Sequence, residues 1–150
     1  MNIQRRQFCT FHVDNLYLGI EVQQVQEVIR YQTMTRIPLA PGAIHGLINL
    51  RGQIVTAVDL RHCMDLPQRA ANQQPMNVVV RDGENAISLL VDSIGDVVEV
   101  DEDTFEPPPS TARAKVRTLI HGTYKQSERL LLVLNTERVI LDCCAMATAN

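Results

Sequence analysis

The feature that most constrains this chain is a succession of short apolar runs broken by turn residues every few positions. Between Gln7 and Val13, the residues Cys9, Phe11 and Val13 alternate with Thr10 and His12, the period of a strand buried on one face. Asp14-Asn15 turns the chain back into Leu16 to Ile20, which completes a hairpin. Ile44 to Asp59 is the stretch densest in aliphatics. Within it Arg51-Gly52 marks a tight bend between two strands, glycine supplying backbone angles that other residues avoid. Met76 to Val80 and Ala86 to Val91 flank the Asp82-Gly83 turn, and Val97 to Val100 follows. Leu119 to Tyr124 and Arg129 to Leu134 are joined across Lys125-Gln126-Ser127-Glu128. About ten strands this short, with few helices, point to one or two small barrels rather than an open parallel sheet.

Helical period is rare. Val22, Val25, Val28 and Ile29 recur at three- and four-residue steps among Glu21, Gln23, Gln24, Gln26 and Glu27, which predicts an amphipathic helix of about two turns. Thr35 to Pro38 reads as an edge strand stopped by proline, with a Pro41-Gly42 turn after it. Asp59 is placed to cap a helical turn carrying Leu60, Met64 and Leu66, and Asn135 or Thr136 to cap a last short helix through Leu141. The polar stretch Pro67 to Pro75 is long enough for a hinge or a subdomain boundary. Asp101 to Lys115 contains Pro107-Pro108-Pro109 and is expected as an extended loop rather than a paired strand. The alanine-rich end, Cys143 to Asn150, is expected to fray. An Ile-x-Gly hairpin feeding an apolar strand and a capped helical turn occurs twice, over Ile44 to Leu66 and Ile120 to Leu141. That recurrence suggests two similar halves.

Composition narrows the function. Val, Ile and Leu supply 42 of 150 residues and the aromatics only six, so the core is aliphatic and rich in strand formers. A chain of this length buries roughly 70% of its unfolded surface, enough for one compact unit or two small ones sharing a core. Fourteen basic against 17 acidic residues give a net charge of −3, which offers no general attraction to nucleic acid or anionic lipid. The few aromatics are scattered and build no platform for stacking bases. No window reaches the roughly 18 apolar residues of a membrane span, so direct membrane insertion is not expected. The start, MNIQRRQF, has no apolar run behind its arginines, and a cytoplasmic location is the expectation. Cys9, Cys63, Cys143 and Cys144 imply no disulfide framework.

No phosphate-cradling glycine loop, HExxH, CxxC or GxSxG is present. The chain is therefore expected not to be an enzyme and to need neither metal nor cofactor. His62-Cys63 reads either as a thiolate pair or metal ligands, or as a buried cysteine beside a surface histidine, the commoner arrangement on a short helical turn. Glu99, Asp101, Glu102, Asp103 and Glu106 lack the alternating ligands and central glycine of a calcium loop and read as a solvated loop. Arg51, held out on a tight bend, is placed to meet a carboxylate or carbonyls on a partner. Its alternative is an internal ion pair with an acid such as Asp59 or Asp92. Val25 and Glu27 read either as core and rim of a binding groove or as core and solvent.

Five stretches together carry a resemblance. They are Leu18 to Val28 with its Val25-Gln26-Glu27-Val28, Thr35 to Pro38, Ile44 to Gly52 with Val58 to Arg61, Leu90 to Val97, and Arg129 to Asn135. In this order they resemble the chemotaxis coupling proteins of the CheW family, over about residues 6 to 141, with 142 to 150 left as a tail. The resemblance implies a mainly β fold, two SH3-like five-stranded β-barrels around a shared hydrophobic core with a few short helices. It also implies a non-enzymatic adaptor joining the histidine kinase CheA, through its regulatory domain, to the cytoplasmic tips of methyl-accepting chemoreceptors, with other CheW-like domains as partners in rings. Such an adaptor is recruited to membrane-associated receptor arrays. The receptor's helical hairpin would dock between the barrels. By motif, Val25, Glu27, Val28, Asn49, Arg51 and Val97 would line or flank that groove, the valines as apolar anchors and Glu27 and Arg51 fixing orientation. No residue is assigned to the kinase.

The chain departs from the family at Thr56, where proline is common, and at Ser93, where glycine is common and where the bend before Val97 is affected. Asp101 to Lys115 also diverges, as an adaptation to a particular receptor would. At 150 residues the stand-alone adaptor is expected over the longer kinase or receiver-fused relatives. The alternative readings are an adaptor of a non-flagellar pathway controlling pili, development or second-messenger output, and a small thiol-based sensor or enzyme using His62-Cys63 or Cys143-Cys144.

Overall fold

A computed structural model describes residues 5–83 and 85–144. Its strands are β1 (Arg5–Val13), β2 (Leu16–Glu21), β3 (Val25–Ile29), β4 (Ile44–Leu50), β5 (Gln53–Asp59), β6 (Met76–Asp82), β7 (Asn85–Val91), β8 (Ser93–Asp101), β9 (Phe105–Glu106), β10 (Ile120–Gln126) and β11 (Arg129–Leu134). Three short helices follow strands or loops: α1 (Leu60–Cys63), α2 (Ala114–Leu119) and α3 (Thr136–Cys144). One sheet runs β8-β1-β2-β11-β10-β9 and the other β3-β6-β7-β5-β4.

The two sheets share one wiring diagram. Hairpins β1–β2 and β6–β7 occupy equivalent places, as do hairpins β10–β11 and β4–β5, and each sheet joins its two hairpins by a parallel pairing, β11 on β2 and β5 on β7. β8 flanks β1 as β3 flanks β6. All five strands of the second sheet lie in sequence between β2 and β8, so this sheet is inserted whole into the first.

The recurrence seen in the sequence is thus a structural one, down to its details. Both Ile-His-Gly segments carry a β-bulge, with register shifts between Ile44 and Gly46 and between Ile120 and Gly122. Each glycine admits a neighbouring backbone. A side chain at Gly46 would meet the Thr35 carbonyl at 2.8 Å, and one at Gly122 would collide with the Phe105 ring and the Glu106 carbonyl. Thr35, bridged to Leu47, and β9, paired with β10, are the corresponding additions at the two sheet edges. Asp59 caps α1 by accepting from the Arg61 N–H, and Asn135 accepts from the Arg138 N–H at the start of α3.

Strand alternation sorts the side chains into three places. Phe8, Tyr17, Val100, Tyr124, Leu131 and Val133 fill the six-stranded barrel. Ile48, Ala57 and Leu90, with Val55, Val79 and Ala86, form the smaller interior of the five-stranded one. The opposite faces of both sheets meet in a shared core that includes Phe11, Leu18, Ile20, Val58, Val78, Val80, Leu89 and Leu132. All three helices close over it, through Leu60 and Met64, Val116 and Leu119, and Val139.

Several expectations are corrected. The helix over Val22 to Ile29 is a 3₁₀ turn (Val22–Gln24) followed by β3, because the backbone of this segment pairs with β6. The strand pair skips Gln26, so Val25 sits opposite Val80 while Glu27 sits opposite Val79. That bulge puts Val25 and Val28 on one face, the relation that the helical spacing had suggested. Pro67 to Pro75 is no subdomain boundary, since β5 and β6 before and after it belong to one sheet. Its Arg69 side chain is only 7% exposed, which ties the segment down. The loop 101–115 contributes β9, which makes the first sheet six-stranded rather than five, and its end begins α2, a helix too short to show a period in the sequence. β8 starts at Ser93, four residues ahead of Val97, and its irregular step falls after Ile94. Gly95 packs there on Thr10, whose hydroxyl donates to the Asp96 carbonyl. Cys143 is buried at the end of α3, and residues 145–150 of the expected frayed tail lie outside the described residues.

Where the chain crosses from β7 to β8, Asp92 holds the junction. Its carboxylate accepts from Arg61 at 3.0 and 2.6 Å, from Arg69 at 2.9 Å and from the Asp14 N–H at 2.7 Å. Arg69 Nη2 lies 3.5 Å from Asp59, near enough for attraction, although the hydrogen-bond geometry is not met. Arg61 also donates to the Pro67 carbonyl at 2.9 Å. Burial alone would raise the Asp92 pKa, but the hydrogen bonds and the Arg61 charge outweigh it and hold the carboxyl below its ordinary value. A carboxyl lowered on folding stabilises fully above its unfolded pKa, about 3.9, and loses that contribution as pH falls through the lower folded value. Asp92→Asn, which leaves two buried guanidinium groups short of a counter-charge, is expected to cost about 3 kcal/mol in urea unfolding at pH 7. The loss of stability below pH 4 should be shallower in the variant than in the parent.

Candidate functional site

The β4–β5 turn is a two-residue one in which both Arg51 (φ 52°) and Gly52 (φ 83°) are left-handed. This is the backbone that fits the twist of a hairpin, and it favours Asn-Gly over Arg-Gly. The unusual angles expected of the glycine are thus shared by the arginine before it. An arginine in the left-handed region costs roughly 1 kcal/mol, and the turn retains it. Asn49 steadies the bend by accepting from the Gly52 N–H at 3.1 Å.

From this turn Arg51 reaches β3, where both nitrogens of its fork meet Glu27, at 3.3 and 2.9 Å. The internal partner weighed for Arg51 is therefore neither Asp59 nor Asp92, which are engaged by Arg69 and Arg61. The Glu27 side chain is 16% exposed and that of Arg51 76%. Glu27 lies on the face of Val79, above the small core of Val55, Val79 and Ala86 on which Ile29 and Leu50 also pack. The ion pair thus spans the two outermost strands of the five-stranded sheet, β3 directly and β4 through its turn.

The apolar residues divide differently. Val25 packs against the shared core and is half-buried. Val28 is opposite Val78, on that same face, but at 38% exposure it stands where the core runs out. Val97 belongs to the other sheet. It pairs with Cys9, which pairs with Ile20 of the shared core, so its side chain too lies on the core-facing side, 58% exposed on edge strand β8. Ile54, opposite Asn49 and 61% exposed, was not singled out from the sequence, where Ile54-Val55 reads as one apolar run.

A family model of the CheW-like domain matches residues 7–143. This chain belongs to the CheW-like domain family. Chemotaxis protein CheW of Klebsiella aerogenes is 28% identical over 135 residues, covering 90% of this chain and 81% of the relative. Chemotaxis protein CheW of Bacillus subtilis is 28% identical over 130 residues, 87% and 83% of the two chains. Protein FrzA of Myxococcus xanthus is 24% identical over 147 residues, 97% and 91%. The crystal structure of the scaffolding protein TtCheW from Thermoanaerobacter tengcongensis superposes with a TM-score of 0.78 at 26% identity, covering 87% of this chain and 89% of that one. The mainly β, SH3-like architecture that the resemblance implies is the one found.

Other features of this CheW-like chain stand apart from the Glu27–Arg51 pair. A cleft of about 540 Å³ opens among Leu16, Tyr17, Leu66, Val116, Arg113 and Arg129, with Arg129 stacked 3.7 Å over the Tyr17 ring. It is assembled from four distant segments, which is why no local pattern announces it. Among the described residues, no group of three His, Cys, Asp or Glu side chains is arranged to hold a metal ion.

The ion pair is largely solvated on the Arg51 side, where such pairs contribute about 0 to 1 kcal/mol. A double-mutant cycle with Glu27→Gln and Arg51→Ala is expected to give a coupling below about 1 kcal/mol by urea unfolding. Arg51→Asn, which relieves the left-handed strain, should leave the melting temperature unchanged or raise it by about 2–4 °C.

Proposed function

We propose that this chain is a non-enzymatic adaptor that holds a CheA-type histidine kinase, through its regulatory domain, and the cytoplasmic tips of methyl-accepting chemoreceptors in one assembly. The observation that carries the reading is Arg51, kept at a strained backbone position with its guanidinium exposed and oriented by Glu27. Strain retained at an exposed position marks a residue held for its side chain rather than for the turn. A carboxylate or carbonyl on an incoming helix can then share the guanidinium with Glu27.

Val28 and Val97 complete the surface. Each is exposed on an edge strand of a different sheet, on the side that faces the other sheet. Apolar anchors at the open margins of a shared core, together with a fixed charge pair and Asn49, suit an amphipathic receptor helix laid between the barrels. Val25 supports this surface from below, and Ile54 adds apolar area beside Asn49. No helix of the described residues is long and apolar enough to cross a membrane. Recruitment to receptor arrays would then come from the partners, and CheW-like domains of neighbouring molecules would extend the assembly into rings.

Co-sedimentation with receptor signalling fragments and a CheA-type kinase tests the reading. Binding to both at micromolar concentration is the expected result, and binding to neither overturns it. Arg51→Asn should weaken receptor association about tenfold or more, with kinase association kept and the melting temperature not lowered. A kinase of a non-flagellar chemosensory pathway, used in the same assay, separates the two outputs such an adaptor can serve.

A further inference from the structure

Sulfur chemistry forms a second site, inside the shared core and separate from the residues assigned to a partner above. The sequence offers His62-Cys63 and Cys143-Cys144 as neighbouring pairs, but the fold makes a different one. Cys63, in α1, and Cys143, in α3, bring their Sγ atoms to 2.6 Å. Cys63 is 3% and Cys143 7% exposed, and both belong to the shared core. The two helices follow the two equivalent hairpins β4–β5 and β10–β11, so the contact lies between the two repeats of the fold.

We propose that Cys63 and Cys143 are a thiol pair that hydrogen peroxide converts to a reversible disulfide, stapling α1 to α3 across the shared core. The sulfur atoms need to close by only about half an ångström to reach a bond length of about 2.05 Å. The hydrogen bond with the Cys63 thiol lowers the Cys143 thiol from its ordinary value, outweighing burial and the Asp142 charge, with a smaller pull from Lys115. With Cys143 as the attacking sulfur the step balances as below, and the balance is the same if Cys63 begins. The Cys143 thiolate displaces hydroxide from peroxide, leaving a sulfenic acid, and the hydroxide takes up the thiol proton as water. Cys63 then attacks the sulfenic sulfur and its proton leaves with the expelled hydroxide as a second water. Two thiols and one peroxide become one disulfide and two waters, the two sulfurs giving up two electrons. The small size of peroxide suits a site that a bulky disulfide reagent would not enter.

The bond would close a loop spanning 80 positions, and constraining a chain over that length stabilises it against unfolding. Nothing in the site depends on the adaptor reading, so either can fail alone.

The test uses a full chain carrying Cys9→Ser and Cys144→Ser, treated with hydrogen peroxide, then alkylated in denaturant without reductant and weighed by mass spectrometry. Expected are a loss of two hydrogens with no alkylation, a Cys63–Cys143 crosslinked peptide, and a melting temperature raised by about 5–15 °C that dithiothreitol reverses. The same crosslink should dominate the peptide map of the oxidised parent chain. Two alkylated thiols after peroxide, over-oxidation without a crosslink, a bond between molecules, or a parent chain linked through Cys144 would each overturn the proposal.

Discussion

The shared aliphatic core between the sheets is the constraint on which the rest of this structure depends. A small barrel with one buried face would alternate apolar and polar residues, as an antiparallel sheet against solvent does. Here several strands are buried on both faces. Val78 and Val80 look into the shared core while Val79 looks into the barrel. The last strand divides in the same way: Leu131 and Val133 fill one barrel, and Leu132 and Leu134 face the other sheet. The uninterrupted runs Val78-Val79-Val80 and Leu130 to Leu134 are therefore the sequence signature of two barrels packed back to back.

Edges follow from the same arrangement. A core that stops at the margins of two sheets leaves apolar side chains exposed on the last strands, and Val28 on β3 and Val97 on β8 are such residues. The five-stranded sheet fastens its own open side with Thr35 on β4 and with Glu27 against Arg51, while the six-stranded sheet uses β9. The two devices differ in chemistry. Thr35 adds a single bridge to β4, whereas β9 sets the Phe105 ring 5.2 Å from that of Tyr124, and that asymmetry distinguishes the repeats as surfaces although their backbones match. At the crossing from one sheet to the other, Asp92 gathers Arg61, Arg69 and the Asp14 N–H, a charge cluster largely shut off from water.

Much of this was legible residue by residue. The hairpins at Asp14-Asn15, Arg51-Gly52 and Asp82-Gly83, the cap at Asp59 and the last helix all follow from local rules of turn and cap chemistry, and the structure has them. The segment Val22 to Ile29 was not, because a β-bulge at Gln26 lets a strand imitate the spacing of a helix, and only the presence of β6 beside it decides between them. Arg69 and α2 were missed for a related reason. An arginine in a polar, proline-bounded stretch reads as solvated until a buried carboxylate is brought to it, and a six-residue helix after three prolines has too few apolar positions to show a period.

By itself the sequence determined where most of the strands lie, how their hairpins turn, that the interior is aliphatic, and which motifs point to the CheW-like family. These depend on neighbours a few residues apart, within reach of backbone geometry and side-chain alternation. The tertiary structure alone decided that Arg51 meets Glu27 rather than Asp59 or Asp92, that Val28 and Val97 sit on edges of different sheets, and that Cys63 meets Cys143. Those pairings join residues 24 to 80 positions apart. The first is set by the folding of the inserted sheet on itself and the last by the packing of the two barrels against each other, neither of which a local pattern encodes.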